Sequence, residues 1–135
     1  MMAGPFENIT ILIVDDSLSM RRIIRKFFEN SGGTLIREAG DGRAALEILE
    51  TWPADLVVSD LNMPRMNGLE LLDAVRQREA GAGRSCFVML TVEAIQKTMN
   101  KALEKGADSY IVKPVTEKVF IEEVLAALER CYPSG

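Results

Sequence analysis

Short runs of β-branched and other apolar residues alternate along this chain with longer stretches whose apolar residues recur every three to four positions. The first pattern is that of buried strands and the second that of amphipathic helices. Ile9 to Val14 has a buried-strand composition and stops at Asp15-Asp16. Ser17 is a good N-cap, and Met20, Ile23, Ile24, Phe27 and Phe28 then fall on one helical stripe. Arg21, Arg22, Arg25 and Lys26 lie off that stripe and read as a solvated basic edge. Gly32-Gly33 ends the helix. Thr34 to Ala39 predicts a second strand. Asp41-Gly42 opens a second helix with Ala45, Ile48 and Leu49 on one face, and Pro53 follows its end.

The alternation continues. Asp55 to Ser59 predicts a third strand ending at Asp60, followed by a loop from Leu61 to Asn67. Gly68 opens a third helix carrying Leu69, Leu72 and Val75, and Gly81 to Gly83 reads as a loop. Ser85 to Leu90 is a fourth strand ending at Thr91. Ile95, Met99, Ala102 and Leu103 keep helical spacing up to Gly106. Asp108 to Val112 is a fifth strand ending at Lys113-Pro114. Thr116 caps a fifth helix with Ile121, Val124, Leu125 and Leu128 inward. The pattern is thus (βα) five times. It predicts an α/β fold with a doubly wound parallel sheet covered on both faces and right-handed crossovers. The flavodoxin-like strand order 2-1-3-4-5 fits, with ligands at the carboxyl ends of strands 1 and 3.

Composition narrows the function. At 135 residues the chain is expected to form a single domain over 1–135, with a core of about 8–132 and no output domain. A chain of this size buries roughly two-thirds of its unfolded surface, enough for an unstapled core. A net charge of -4 argues against nucleic-acid binding through phosphate neutralisation. Histidine is absent, which excludes a histidine base, a phosphohistidine or a histidine metal ligand in this chain. Cys86 and Cys131 make neither a zinc pattern nor a disulfide framework, and read as reduced thiols of a cytoplasmic protein. The start of the chain has no signal-peptide character, and the Ile11 to Val14 run is far too short to span a bilayer, so no membrane insertion is expected.

The chemistry collects at the strand ends. Strand 1 gives Asp15 and Asp16, strand 3 Asp60, strand 4 Thr91 and strand 5 Lys113. Three carboxylates in one crevice repel, so a pKa rises or a cation is recruited. Oxygen donors without His or Cys suit Mg²⁺. A carboxylate can itself be the nucleophile in phosphoryl transfer. Lys113 adds a positive charge and Thr91 a hydroxyl donor. Taken singly, each residue has a bland reading as a helix cap, a turn residue or a solvated loop charge. Their joint placement at the ends of successive units favours a site that takes a phosphoryl group on Asp60.

These residues match a known family. The stretches ILIVDDSLSMRRIIRKFF (11–28), EAGDGRAALEIL (38–49), SDLNMPRMNGLELL (59–72), MLTVEA (89–94) and GADSYIVKPVT (106–116) resemble the receiver domain of bacterial response regulators. They stand nearest its stand-alone, CheY-type chemotaxis branch. The resemblance implies a two-component signalling protein, not an enzyme in its own right, that promotes its own phosphorylation and dephosphorylation. Asp60 is then the phosphoacceptor. Asp15, Asp16, Asp60 and the backbone carbonyl of Asn62 are the Mg²⁺ ligands. Lys113 pairs with the phosphate, Thr91 moves to bond it, and Tyr110 turns inward as Thr91 moves. The Lys113-Pro114 bond is expected to be cis. Asn62, Val92 and Glu93 tune the rates. The donor is a phosphohistidine on a partner histidine kinase, which the basic edge of the first helix could also dock. The output is a surface of helix 4, strand 5 and helix 5, offered by a monomer to a flagellar motor switch, a phosphotransfer protein or a kinase complex.

Some positions depart from the family pattern. Val92 stands where Ala or Gly is usual, Val115 where Phe is common, and Leu61 where the classical chemotaxis protein has Trp. Trp52 is expected to lie too far from Asp60 to report on it. A phosphorelay intermediate and a phosphorylation-independent interaction module remain as alternatives. An aspartyl-phosphate hydrolase fits poorly, because Asn62 stands where an acid/base Asp is needed. Flavin binding fits poorly too, because Asp15-Asp16 would repel a phosphate.

Overall fold

The computed structural model describes residues 4–79 and 83–133. Strands and helices alternate as β1 (Thr10–Val14), α1 (Leu18–Asn30), β2 (Leu35–Ala39), α2 (Gly42–Thr51), β3 (Leu56–Ser59), α3 (Gly68–Arg78), β4 (Cys86–Thr91), α4 (Gln96–Glu104), β5 (Ser109–Val112) and α5 (Glu117–Cys131). The strands form one sheet in the order β2-β1-β3-β4-β5, and every pair is parallel. This is the expected doubly wound fold. The loop expected at Gly81 to Gly83 lies, apart from Gly83, outside the described residues.

Each strand feeds two cores. Along β1, Ile11 and Ile13 enter one apolar cluster, with Phe28 of α1 and Phe120 and Val124 of α5. Leu12 and Val14 enter the other, with Ala45 of α2, Leu71 and Leu72 of α3 and Ala102 of α4. A strand covered on both faces has no polar alternation, which is why the central strands read as continuous apolar runs. Phe28 ties the first layer together, with its ring 5.0 Å from Phe6 and 5.4 Å from Phe120.

The helix starts follow from capping chemistry. Ser17, Asp41 and Thr116 each accept a backbone N–H of the first turn, from Met20, Ala44 and Val119. Asn67 and Glu70 form a reciprocal capping box that opens α3. Gly32 adopts φ +93° just beyond α1, a conformation open to glycine at little cost.

Three expectations need correction. All five strands begin one residue later than the sequence pattern indicates. The polar residues at three of those starts are used across the sheet edge: the Asp55 carboxylate accepts from Thr10 N–H, Glu79 accepts from Ser85 N–H, and Asp108 accepts from Phe87 N–H. The helical spacing from Ile95 to Leu103 does not describe a buried stripe either. Ile95 is 60% exposed and precedes α4, Leu103 is 48% exposed, and Ala102 is the buried residue of that helix. Finally, Arg21 and Arg25 are paired, partly buried charges, not a free solvated edge. Both bind Glu38 of β2, at 3.1 and 2.5 Å, while Arg22 and Lys26 remain exposed. No helix among the described residues is long and apolar enough to cross a membrane.

Candidate functional site

Parallel strands deliver all their carboxyl ends to one edge, and β1 and β3 are neighbours whose following helices diverge to opposite sides. Asp15 and Asp60 are the first residues beyond these strands. The ladder continues through both: Asp15 N–H donates to Ala39 O at 3.1 Å and Asp60 N–H donates to Val14 O at 2.9 Å. Their backbones are therefore fixed by the sheet.

Local bonds then aim the side chains. Asp15 Oδ1 accepts from Ser17 N–H at 2.9 Å, and Arg21 donates to the Asp15 carbonyl at 2.6 Å. Asp60 Oδ1 accepts from Leu61 N–H at 2.7 Å, and Ser59 Oγ donates to the Asp60 carbonyl at 2.8 Å. One carboxylate oxygen from each of Asp15, Asp16 and Asp60 lies within 4.8 Å of the others. Asp15 is buried, Asp60 is largely so, and Asp16 is exposed. The start of α3 closes against this group. Gly68 N–H donates to Leu61 O at 2.8 Å, and a Cβ on Gly68 would collide with the Asp60 carbonyl oxygen. A glycine is required there by close approach.

Lys113 brings the counter-charge. Its Nζ lies 3.3 Å from Asp15 Oδ2 and 3.7 Å from Asp60 Oδ2, and its side chain is only 12% exposed. A lysine before proline is ordinarily a solvated loop residue, so this burial separates the functional reading from the bland one. The Lys113-Pro114 bond is cis, as expected. Lys113 N–H donates to Thr91 O at 2.8 Å, which ties the ends of β4 and β5. Thr91 is fully buried, and its Oγ1 accepts from Glu93 N–H at 3.3 Å. Tyr110 is half-buried, and its hydroxyl donates to the Glu93 carbonyl at 2.7 Å. Thr91, Glu93 and Tyr110 thus form one connected group. Val92 projects to solvent, 68% exposed, and Asn62 is exposed in the loop beyond Asp60.

Three carboxylates meet one lysine that reaches two of them, and the imbalance appears in Asp15. Burial pushes its pKa up, and the charge of Asp60 adds to this, while the Ser17 N–H and Lys113 oppose it. The donor set consists of hard oxygen atoms with no His or Cys, and it carries surplus negative charge. It fits a divalent hard cation such as Mg²⁺.

Sequence reasoning missed two residues that shape this edge. Arg21 was read as a solvated cation, yet it bonds the backbone of Asp15 and the carboxylate of Glu38. Arg65, at φ +65° in the β3–α3 loop, binds Asp41 through Nε and Nη2 at 2.8 and 2.5 Å. Neither contact leaves a spacing signal, because each joins separate elements. Trp52 follows the end of α2, at the opposite edge of the sheet, with the Arg37 guanidinium 4.7 Å from its ring centre.

The comparisons with known proteins bear on the fold and the family. The family model for the response regulator receiver domain matches residues 11–125. The chemotaxis protein CheY of Pseudomonas aeruginosa is 41% identical over 120 residues, 89% of this chain and 96% of that protein. CheY-3 of Vibrio cholerae is 38% identical over 124 residues, 92% of this chain and 95% of that protein. Among solved structures, CheY4 of Vibrio cholerae superposes with a TM-score of 0.78 at 29% identity, over 94% of this chain and 99% of that one. CheY of Borrelia burgdorferi, solved as a complex with CheX, BeF3 and Mg, gives 0.81 at 27% identity, over 89% of each chain. On its fold, its strand-end residues and these likenesses, the chain belongs to the response regulator receiver domain family of two-component signalling proteins, with chemotaxis regulators among its relatives.

Proposed function

We propose that the chain is a monomeric, cytoplasmic phosphorylation switch that takes a phosphoryl group on Asp60. The observation that carries this reading is the meeting of Asp15, Asp16 and Asp60 within 4.8 Å, with the Lys113 ammonium reaching two of them. An Asp60 carboxylate oxygen attacks the phosphorus of a phosphohistidine on a histidine kinase. The new O–P bond forms as the P–N bond breaks, and the imidazole leaves with the bonding pair. Asp15, Asp16, Asp60 and the Asn62 carbonyl would hold Mg²⁺, which when bound neutralises charge on the transferring phosphoryl oxygens. Lys113 pairs with a phosphoryl oxygen, and the Thr91 hydroxyl donates to another.

Thr91 would leave its bond with Glu93 N–H to reach the phosphoryl group. Tyr110, which holds the Glu93 carbonyl, would turn inward with it. That shift would change the surface of α4, β5 and α5, to which a target protein binds. The likeness to chemotaxis regulators supports a flagellar motor switch or a phosphotransfer protein as target, and the Borrelia relative was solved in complex with a partner protein, CheX. Asn62, two residues beyond Asp60, and Glu93, two beyond Thr91, would tune the rates of phosphorylation and hydrolysis. Val92 stands larger than the usual Ala or Gly beside the phosphate and slows its hydrolysis, so Val92→Ala should shorten the phosphorylated lifetime several-fold. A lifetime unchanged or lengthened would discount Val92.

The deciding experiment is incubation with acetyl phosphate, with and without Mg²⁺, read by intact mass beside Asp60→Asn. A Mg²⁺-dependent gain of one phosphoryl group, absent in Asp60→Asn, is expected. No gain from acetyl phosphate or from a phosphorylated kinase would leave the fold as an interaction module.

A further inference from the structure

Cys86 and Cys131 are a third of the chain apart in sequence, yet the topology brings them together. Cys86 opens β4 and Cys131 closes α5. Cys86 is fully buried in the apolar cluster against which Cys131 packs, and both are free thiols. The two sulfurs and a carboxylate oxygen of Asp108 all lie within 4.8 Å of one another. The residue after Cys131 is anchored: the Tyr132 hydroxyl reaches the carbonyls of Asp55 at 2.7 Å and Arg84 at 2.9 Å. Cys131 is thus held against Cys86.

Two thiols and a carboxylate resemble a metal site, but the carboxylate is already committed. Asp108 Oδ2 accepts from Arg76 at 3.0 Å and from Phe87 N–H at 2.9 Å, and Oδ1 faces Arg84 at 2.9 Å. Arg84 also reaches Cys131 Sγ at 3.9 Å. A cation would have to enter between two guanidinium groups. A neutral product suits the place better. We propose that Cys86 and Cys131 are a redox-active dithiol that closes to an intramolecular disulfide, stapling the end of α5 to the start of β4.

The oxidant is a low-molecular-weight disulfide such as oxidised glutathione. Cys131 is the more accessible thiol, so it reacts first. Its thiolate attacks one sulfur of the oxidant and releases one small thiol, leaving a mixed disulfide. Cys86, on losing its proton, attacks the Cys131 sulfur and releases the second small thiol. The oxidant gains the two electrons and two protons that the cysteines lose. An S–S bond of about 2.05 Å requires the sulfurs to close by under about 3 Å. Burial raises the pKa of both thiols, so the exchange is slow.

The test uses the whole chain in native buffer with excess oxidised glutathione, then denaturation, alkylation with iodoacetamide, intact mass and peptide mapping. The expected product has lost two hydrogens, takes up no alkyl group and yields a cross-linked peptide pair holding Cys86 and Cys131. Cys131→Ser should give no cross-link and leave one alkylatable thiol. A lasting glutathione adduct on Cys131, a chain-to-chain disulfide, or two free thiols where the urea-unfolded chain does oxidise would overturn the proposal. Protection of both thiols from alkylation by stoichiometric Zn²⁺ in the reduced chain would overturn it in favour of a metal site.

Discussion

The two edges of the sheet treat charge in opposite ways. At the amino edge, Arg76 donates to Gly106 O, Ser85 O, Glu79 and Asp108. Arg84 adds contacts to Gly106 O and Asp108, and Arg130 donates to Asp108 O. The Asp108 and Glu79 carboxylates each also take a backbone N–H, from Phe87 and Ser85. Opposite charges and orphan backbone groups are matched there. At the carboxyl edge, three carboxylates meet and one lysine reaches two of them. Matched charges lower the energy of the fold and leave little to react. The mismatched group costs folding energy and keeps an attraction for something outside the chain.

The largest effect should come from breaking the matched edge. Arg76 is mostly buried and bridges α3, the loop before β4 and the loop before β5. Arg76→Ala should destabilise the chain by about 2–4 kcal/mol, because carbonyls and carboxylates lose a buried donor. Urea unfolding would measure it. Arg76→Lys should recover less than half, since an ammonium cannot span the same acceptors. A cost near zero for Arg76→Ala would mean that Arg84 and Arg130 replace it, and that the knot is redundant.

This contrast also explains what could be read from the sequence. Asp15, Asp60, Thr91 and Lys113 were legible because each stands where an apolar run stops, and parallel topology then gathers such stops on one edge. The caps Ser17, Asp41 and Thr116 were legible because capping is local. The amino-edge knot was not. Arg76 sits among Gln77 and Arg78 on an exposed-looking helix stretch, and Asp108 reads as the opening of a strand. Their meeting depends on how α3, β4 and β5 pack. The same holds for Cys86 and Cys131, and for the exposed Leu103 on α4 and the exposed Ile95 just before it.

A middle-sized effect should come from Asp41, a matched carboxylate near the mismatched edge. Its pKa is held below the ordinary aspartate value of 3.8, first by the Ala44 N–H and then by Arg65. The sign follows: its stabilisation is present above about pH 3.8 and is lost as pH falls through its lowered folded-state value. Asp41→Ala should cost about 1–2 kcal/mol near neutrality through loss of the α2 cap. Asp41→Asn keeps an acceptor and should cost less. Both gaps should close in strong acid. A pH-independent gap would assign the loss to shape alone. Added salt should weaken only the Arg65 share, because Arg65 is 71% exposed.

The smallest effect should have the opposite sign. Asp15 is buried beside Asp60, and Lys113 only partly offsets the cost. Asp15→Asn keeps an oxygen to accept the Ser17 N–H and removes one negative charge. Without divalent cations it should stabilise the chain by roughly 0.5–1 kcal/mol. Added Mg²⁺ should raise the melting temperature of the wild type by mass action and move Asp15→Asn less, so the order narrows or reverses. Thermal unfolding with chelator and then with Mg²⁺ measures both arms. If Asp15→Asn is destabilising even in chelator, Lys113 and Ser17 already match the charge. The two edges would then differ only in which residues they use, and not in whether their charges are satisfied.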